Sequence, residues 1–170
     1  MNKKEHSSYI NCANLELIVT FGNYLRIERI MVSDKDFKLL KHQSKGYDVF
    51  LQGEDAESGY RPDYVLKRNN EYIILESENA TSRKTFIGGM LKAAHFLTGS
   101  NFGILIYVMT PKKNTQVSSI ARQIKTYFDY IRDITNLRKI YVIEADKYIM
   151  NGDAISIDSE EFKKLSVCIE

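Results

Sequence analysis

An almost uninterrupted apolar run in the middle of the chain limits the fold more than any other feature. The segment Phe102–Met109 carries no charged side chain, and only Gly103 lacks an apolar one. A short run of this kind, rich in branched and aromatic residues, is typical of a strand buried on both faces of a sheet. Amphipathic helices predicted over residues 81–97 and 115–137 can cover those faces. We therefore expect an α/β fold in which a mixed β-sheet is sandwiched by helices.

The rest of the chain fits a single domain. With 170 residues, 44% of them hydrophobic, and no repeat or low-complexity linker, residues 1–170 have the size of one domain, with a core at about 16–145. Periodicity and turn signals predict the remaining elements. These are a helix over 9–21, a segment of unclear type over 24–30, a short helix from Ser33 to about His42, and strands at 47–52, 61–68, 71–77 and 139–144.

Two of these strands are separated by only two residues, Asn69 and Asn70. Asparagine tolerates the left-handed backbone that a tight turn requires, so the two strands are predicted to form a β-hairpin. A two-residue turn at this place puts Asp63 directly opposite Glu76. The hairpin therefore brings two acidic residues from different strands together.

The next cross-strand pair adds a third carboxylate and a cation. In the same register Arg61 faces Glu78, and Glu78 lies on the same face as Glu76 because strand side chains alternate. Like charges directly opposite each other are destabilising, so Asp63 and Glu76 require a cation or a shared proton.

Three carboxylates in this arrangement suit a hard divalent cation. Magnesium takes oxygen ligands, commonly one or two protein carboxylates together with waters and phosphate oxygens. Asp63 and Glu76 fit the role of ligands, and Glu78 can hold an attacking water whose pKa the metal lowers. The arrangement predicts phosphodiester hydrolysis with Mg²⁺, for which Mn²⁺ can substitute.

The spacing of these residues resembles a known motif. Pro62-Asp63, twelve further residues, then Glu76-Ser77-Glu78 and a helix are similar to the pattern of the PD-(D/E)xK nuclease superfamily. The resemblance covers about residues 16–109 and implies a restriction-endonuclease-like α-β-β-β-α-β core with the acidic residues on its central hairpin. It also implies a metal-dependent DNA endonuclease, either restriction-type or a related defence or repair enzyme, with the Ser77 carbonyl as a further metal ligand.

One position departs from the commonest form of that motif. Glu78 stands where a lysine is usual in the superfamily, although some of its restriction endonucleases are similar in using Glu-x-Glu. A lysine from the following helix can take that place. Lys92 is the preferred candidate for a phosphate contact or substitute lysine, and Lys84 is the second. The resemblance also implies an acidic residue further upstream, for which Glu16 is the candidate.

The charges are distributed unevenly along the chain. Residues 79–141 contain ten basic and two acidic residues, whereas the remainder contains 14 basic and 20 acidic ones. Such asymmetry is compatible with a polyanion partner, although solvated helix faces produce similar counts. With DNA as the expected partner, we assign backbone contacts to Arg61, Arg83, Lys112 and Lys113.

Other function classes find no support in the sequence. It contains no GxxxxGK[ST] loop, GxGxxG fingerprint, GxSxG elbow or HExxH helix. Cys12 and Cys168 lie at opposite ends without CxxC spacing, so a reducing cytoplasm is expected. The polar N-terminus and the six-residue longest apolar stretch, residues 104–109, predict neither secretion nor a membrane partner.

Alternatives to an active nuclease remain open. The same fold with a lapsed active site could bind DNA or a protein without cleaving it. Asp63 and Glu76 could instead form ordinary surface ion pairs with Arg61 and Lys67. In a small interaction protein, the three carboxylates would be an incidental acidic patch and the basic segment a solvated helix face. Cleavage of both strands of a duplex would favour a homodimer through two-fold symmetry.

Overall fold

The described part of the chain folds as helices around one mixed sheet. The computed structural model describes residues 33–78, 82–112 and 115–170, so the helix expected at 9–21, the segment at 24–30 and Glu16 lie outside it. The helices are α1 (Asp34–Leu39), α2 (Arg83–Phe96), α3 (Val117–Ile131), α4 (Ala145–Tyr148) and α5 (Glu160–Leu165), and a 3-10 turn (Arg132–Ile134) follows α3. The strands are β1 (Asp48–Leu51), β2 (Tyr64–Arg68), β3 (Glu71–Glu78), β4 (Phe102–Met109), β5 (Leu137–Glu144), β6 (Ile149–Met150), β7 (Asp153–Ala154) and β8 (Val167–Ile169).

The main sheet has the strand order β1-β2-β3-β4-β5-β8, and β6 pairs with β7 separately. Strands β3, β4 and β5 are parallel, whereas β1, β2 and β8 join as antiparallel neighbours. Leu105 and Tyr107 of β4 pack with α2 and α3, while Ile106 and Val108 pack with α1, α4 and α5 on the opposite face. The prediction of a mixed α/β sheet with helices on both faces is therefore confirmed. None of the described helices combines the length and the apolar character needed to span a bilayer.

The hairpin between β2 and β3 has the predicted register. The pairs run from Arg68 with Glu71 next to the turn to Tyr64 with Leu75. This is the register that a two-residue turn at Asn69-Asn70 requires. Asn69 has a φ of 55°, in the left-handed region that asparagine tolerates. Turn chemistry and hydrophobic alternation therefore fix which acidic residues meet.

The prediction is wrong for the end of the long helix. The helix α3 ends at Ile131, and Ile134 lies in the following 3-10 turn with 79% of its surface exposed, rather than on the buried stripe. Leu137, expected in the helix, starts β5 because it pairs with Gly103 of β4. The chain must leave the helix early to enter the sheet in that register.

A buried histidine fastens α1 to the rest of the fold. His42 lies beyond the end of α1 at Leu39 and is only 2% exposed. Its Nε2 lies 2.8 Å from the Phe37 carbonyl, which can only accept, so Nε2 carries the proton. Its Nδ1 then accepts from the Tyr148 hydroxyl at 2.8 Å. Burial of this neutral ring lowers the pKa of His42 to about 4.

The neutral state of His42 predicts a loss of stability in acid. The pKa rises from about 4 in the folded protein to 6.5 on unfolding, so below pH 6.5 the unfolded state binds a proton that the folded state excludes. The stabilisation is complete above pH 6.5 and falls by about 3 kcal/mol as the pH approaches 4. Urea unfolding of the wild type and His42→Gln between pH 8 and pH 4 measures this, because glutamine does not titrate. The difference in unfolding free energy between the two proteins should shrink with falling pH, whereas a constant difference would refute the assignment.

Candidate carboxylate site on the central hairpin

Asp63 and Glu76 hold each other in place at the edge of the hairpin. The backbone N–H of Asp63 donates to Glu76 Oε2 at 3.2 Å, and the backbone N–H of Ser77 donates to Asp63 Oδ2 at 2.8 Å. Each carboxylate thus accepts a hydrogen bond from the opposite segment of the hairpin. The two acidic groups that the sequence placed opposite each other are neighbours in the structure.

Glu76 is also oriented by a buried tyrosine. The hydroxyl of Tyr60, a residue only 3% exposed, donates to Glu76 Oε1 at 2.9 Å. The Tyr60 ring packs edge-on against Phe96 of α2, with 6.4 Å between ring centroids. Because this ring is fixed by packing, its hydroxyl restricts the position of the carboxylate.

The cation beside these carboxylates is a lysine from α1. Lys38 Nζ lies 3.2 Å from Asp63 Oδ1, and the two side chains are 30% and 15% exposed. Gly53 covers the lysine, since a Cβ at this position would lie 2.9 Å from Lys38 Cδ. The backbone at Gly53 therefore packs closely against the Lys38 side chain of this partly buried ion pair.

Glu78 lies further out on the same strand. It is the last residue of β3, and its backbone carbonyl accepts from the Thr110 N–H at 3.0 Å. Its carboxylate is half-buried and within electrostatic range of Asp63 and Asp34. Glu78 therefore shares the negative field of the site without joining the hydrogen bonds between Asp63 and Glu76.

Burial and mutual repulsion favour the protonated forms of these acids. Burial first, and then the charge of Asp63, raises the pKa of Glu76 to about 7. The same two causes, with a contribution from Asp34, raise the pKa of Glu78 to about 7. Burial also raises the pKa of Asp63, although the Ser77 N–H and Lys38 oppose that effect. A cation added to this site would favour loss of the protons.

Arg61 does not face Glu78 as the extended register predicts. Its guanidinium instead pairs with the exposed Asp55, with Nε 2.8 Å from Oδ1. The strand pairing stops at Tyr64, and Pro62 has no N–H with which to continue the ladder. The chain before Asp63 therefore leaves the sheet and takes Arg61 with it.

The structure does not bring the other predicted basic residues to the carboxylates. Lys84 and Lys92 are exposed on α2, and within residues 33–78, 82–112 and 115–170 neither forms an ion pair with Asp63, Glu76 or Glu78. The remaining assigned residues are Arg83, whose Nη2 donates to Ser119 Oγ at 3.1 Å, Lys112, which is exposed, and Lys113, which lies outside the described residues.

The donors present fit a hard cation that keeps most of its water. The side chains of Asp63 and Glu76 can offer only oxygen atoms as ligands. Asp63 already forms an ion pair with the Lys38 ammonium. Across the described ranges, no group of three or more histidine, cysteine, aspartate or glutamate side chains is arranged to hold a metal ion. Two carboxylates are too few for a closed, all-protein metal cage, and each of their oxygens already has a hydrogen-bond or ion-pair partner.

Two residues of the site were not among the sequence predictions. Tyr60 and Lys38 reach Glu76 and Asp63 through the packing of a loop and of α1. The sequence does contain a partial signal for Lys38, because it follows the apolar Phe37 in a short helix that Ser33 caps. The cap is present, with Ser33 Oγ accepting from the Asp36 N–H at 3.1 Å.

Comparisons of this chain with protein-family profiles, with curated proteins and with solved structures find no match.

Proposed function

We propose that this protein is a metal-dependent endonuclease that hydrolyses phosphodiester bonds in DNA. The observation that carries the proposal is the reciprocal hydrogen bonding of Asp63 and Glu76, which holds two partly buried carboxylates side by side at one edge of the sheet. A pair of acids held in this way is costly to ionise without a cation, and both have pKa values raised by burial. Carboxylates with perturbed pKa values are typical of functional sites.

These positions suggest a role for each residue of the proposed site. Asp63 and Glu76, with the Ser77 carbonyl, would hold Mg²⁺, or Mn²⁺ in its place, which would lower the pKa of a bound water and offset charge on the phosphate. Tyr60 fixes the Glu76 carboxylate by its hydrogen bond. Glu78, with a pKa of about 7, is matched to accept a proton from water near neutral pH. Lys84 and Lys92 would contact phosphates further along the DNA backbone.

The wider setting is part of the same proposal. A restriction-endonuclease-like core would accommodate the order α1-β1-β2-β3-α2-β4, with the acids on the hairpin between β2 and β3. We place the protein in the cytoplasm, in contact with DNA. A homodimer would present two carboxylate sites to the two strands of a duplex.

Calorimetric titration of Mn²⁺ tests the site without requiring the DNA sequence that is cleaved. We expect saturable binding to the wild type and its loss in Glu76→Ala. Because protons compete with the metal at groups whose pKa is about 7, affinity should be roughly tenfold weaker at pH 6 than at pH 7.5 for each proton displaced. Asp48→Ala, an exposed acid on β1, is the matched control and should bind as the wild type does. Equal binding by Glu76→Ala would contradict the proposed site.

A second candidate function is DNA binding without cleavage. It is favoured by basic side chains stacked on aromatic rings near the hairpin turn, where Lys67 Nζ lies 4.6 Å from the Phe50 ring centroid and the Arg68 guanidinium lies 4.6 Å from that of Tyr47. Aromatic and basic groups that are at least partly exposed suit contact with bases and phosphates. This function predicts salt-sensitive DNA binding that is unchanged by EDTA and by Glu76→Ala, whereas the nuclease should bind more tightly with the metal.

A further inference from the structure

The Lys38 ammonium lies beside Asp63, the carboxylate that the proposed metal would use. It lies 3.2 Å from Asp63 Oδ1, the carboxylate oxygen that accepts no hydrogen bond from Ser77. Magnesium binds carboxylate oxygen at about 2.0–2.1 Å and surrounds itself with six ligands. A divalent ion that binds this oxygen would compete with the ammonium for the negative charge of Asp63.

The helix and the backbone around Lys38 restrict where its side chain can lie. The aliphatic part of Lys38 packs against Gly53, which lies in a left-handed conformation with a φ of 92° and leaves no room for a side chain. The helix α1 that carries Lys38 is anchored by the fully buried Phe37, and the Phe37 carbonyl accepts from His42. The lysine is therefore positioned by the fold and is not a freely moving surface group.

The charge around this ammonium explains why it is held there. Asp63, Glu76 and Glu78 share one face, and Asp34 contributes to the same negative field. Lys38 is the basic side chain that forms an ion pair with Asp63 in the part of the chain that the structure describes. One ammonium offsets only part of this negative charge, so the site retains attraction for a cation of higher charge.

We infer that Lys38 is a resident counter-ion which a divalent metal must displace from Asp63, so that this lysine sets the metal affinity of the site. The inference rests on the proposed function for its metal. Displacement moves Nζ away from Asp63 Oδ1 towards solvent, which its 30% exposure permits. The released ammonium remains at the edge of the site, where an anionic substrate would approach.

The central test is Mn²⁺ affinity after removal of the ammonium. Lys38→Met keeps an unbranched apolar stem and removes the charged end of the side chain, and we expect it to bind Mn²⁺ roughly fivefold more tightly than the wild type at pH 7.5. Lys38→Arg keeps the charge, and Lys41→Met removes an exposed charge just beyond α1, so both should remain within about twofold of the wild type. Unchanged or weaker binding by Lys38→Met would overturn the inference.

A measurement on the wild type follows the ammonium itself and uses a variant only to assign its signal. In NMR spectra of the lysine ammonium groups, the signal missing from Lys38→Arg identifies Lys38. That signal should shift in proportion to site occupancy as Mg²⁺ is added, because Nζ leaves Asp63. A signal that stays constant while Mg²⁺ saturates the site would show that metal and ammonium coexist, and the inference would be wrong.

The outcomes separate this inference from the proposed function. If the wild type cleaves DNA with Mg²⁺ but Lys38→Met shows no gain in affinity, the nuclease stands and the displacement fails. If Lys38→Met gains affinity while the wild type cleaves no DNA, the displacement stands and the nuclease fails. Absence of Mn²⁺ binding in both proteins overturns the displacement.

Discussion

Replacing Asp63 with asparagine is expected to reduce magnesium-dependent DNA cleavage by about a thousandfold or more. A metal that neutralises phosphate charge and activates water contributes several kcal/mol to the transition state, and in the proposed site Asp63 would supply one of its two carboxylates. Asparagine has nearly the same shape, and its carbonyl oxygen can still accept from the Ser77 N–H. The loss of charge also removes one of the causes that raise the pKa of Glu76. The variant should therefore fold while its cleavage is lost.

A plasmid mixed with circular single-stranded DNA provides a substrate that does not presuppose a recognition sequence, and gel analysis of strand breaks measures the rate. The matched control is Asp55→Asn, which changes an exposed carboxylate in the preceding loop that pairs with Arg61. The control should retain cleavage within about twofold, because an exposed ion pair contributes little. If Asp63→Asn cleaved DNA at the rate of the wild type and with the same dependence on Mg²⁺, the nuclease assignment would be refuted.

Gly103→Ala is expected to have the largest effect on folding. Gly103 is buried in β4, where it pairs with Tyr72 of β3 and Leu137 of β5. A Cβ at Gly103 would lie 2.1 Å from the Tyr72 carbonyl oxygen, well inside van der Waals contact. That oxygen belongs to strand backbone, which cannot move without disturbing the β3–β4 ladder. We expect a loss of about 3 kcal/mol or more in unfolding free energy, measured by urea titration.

Gly88→Ala tests the same chemical change in an open position. Gly88 lies within α2, and a Cβ there would meet no atom within 4 Å. Because alanine favours the helix over glycine, this variant should be more stable than the wild type by about 0.5–1 kcal/mol. Equal stability of the two variants would contradict the argument that the backbone of β3 excludes a side chain at position 103.

The parts of the fold that the sequence predicts are those determined by local signals. The apolar run at Phe102–Met109 predicts the central strand, because its pattern requires cover on both faces. The Asn69-Asn70 turn predicts the hairpin register, because a one-residue slip would turn every side chain to the other face. The proximity of Asp63 and Glu76 follows from that register.

The parts that the sequence did not predict depend on contacts between distant segments. Lys38 reaches Asp63 because Phe37 and His42 dock α1 against the sheet, and no periodicity in the sequence encodes that distance. The sequence predicted Arg61 opposite Glu78 because it started the strand at Arg61, whereas β2 begins only at Tyr64. The register of a hairpin is therefore more predictable than its length.

The hydrogen bond between His42 and Tyr148 joins two distant parts of the chain, and this separation has a consequence for folding during synthesis. These residues are 106 positions apart, so the ribosome releases the hairpin and the parallel strands β3 and β4 well before Tyr148 emerges. Until then α1 lacks one of its anchors, although Phe37 can already pack against the earlier strands. We therefore expect the acidic pair to form early from neighbouring segments, and the packing of the helix that carries Lys38 to be completed only by the last third of the chain.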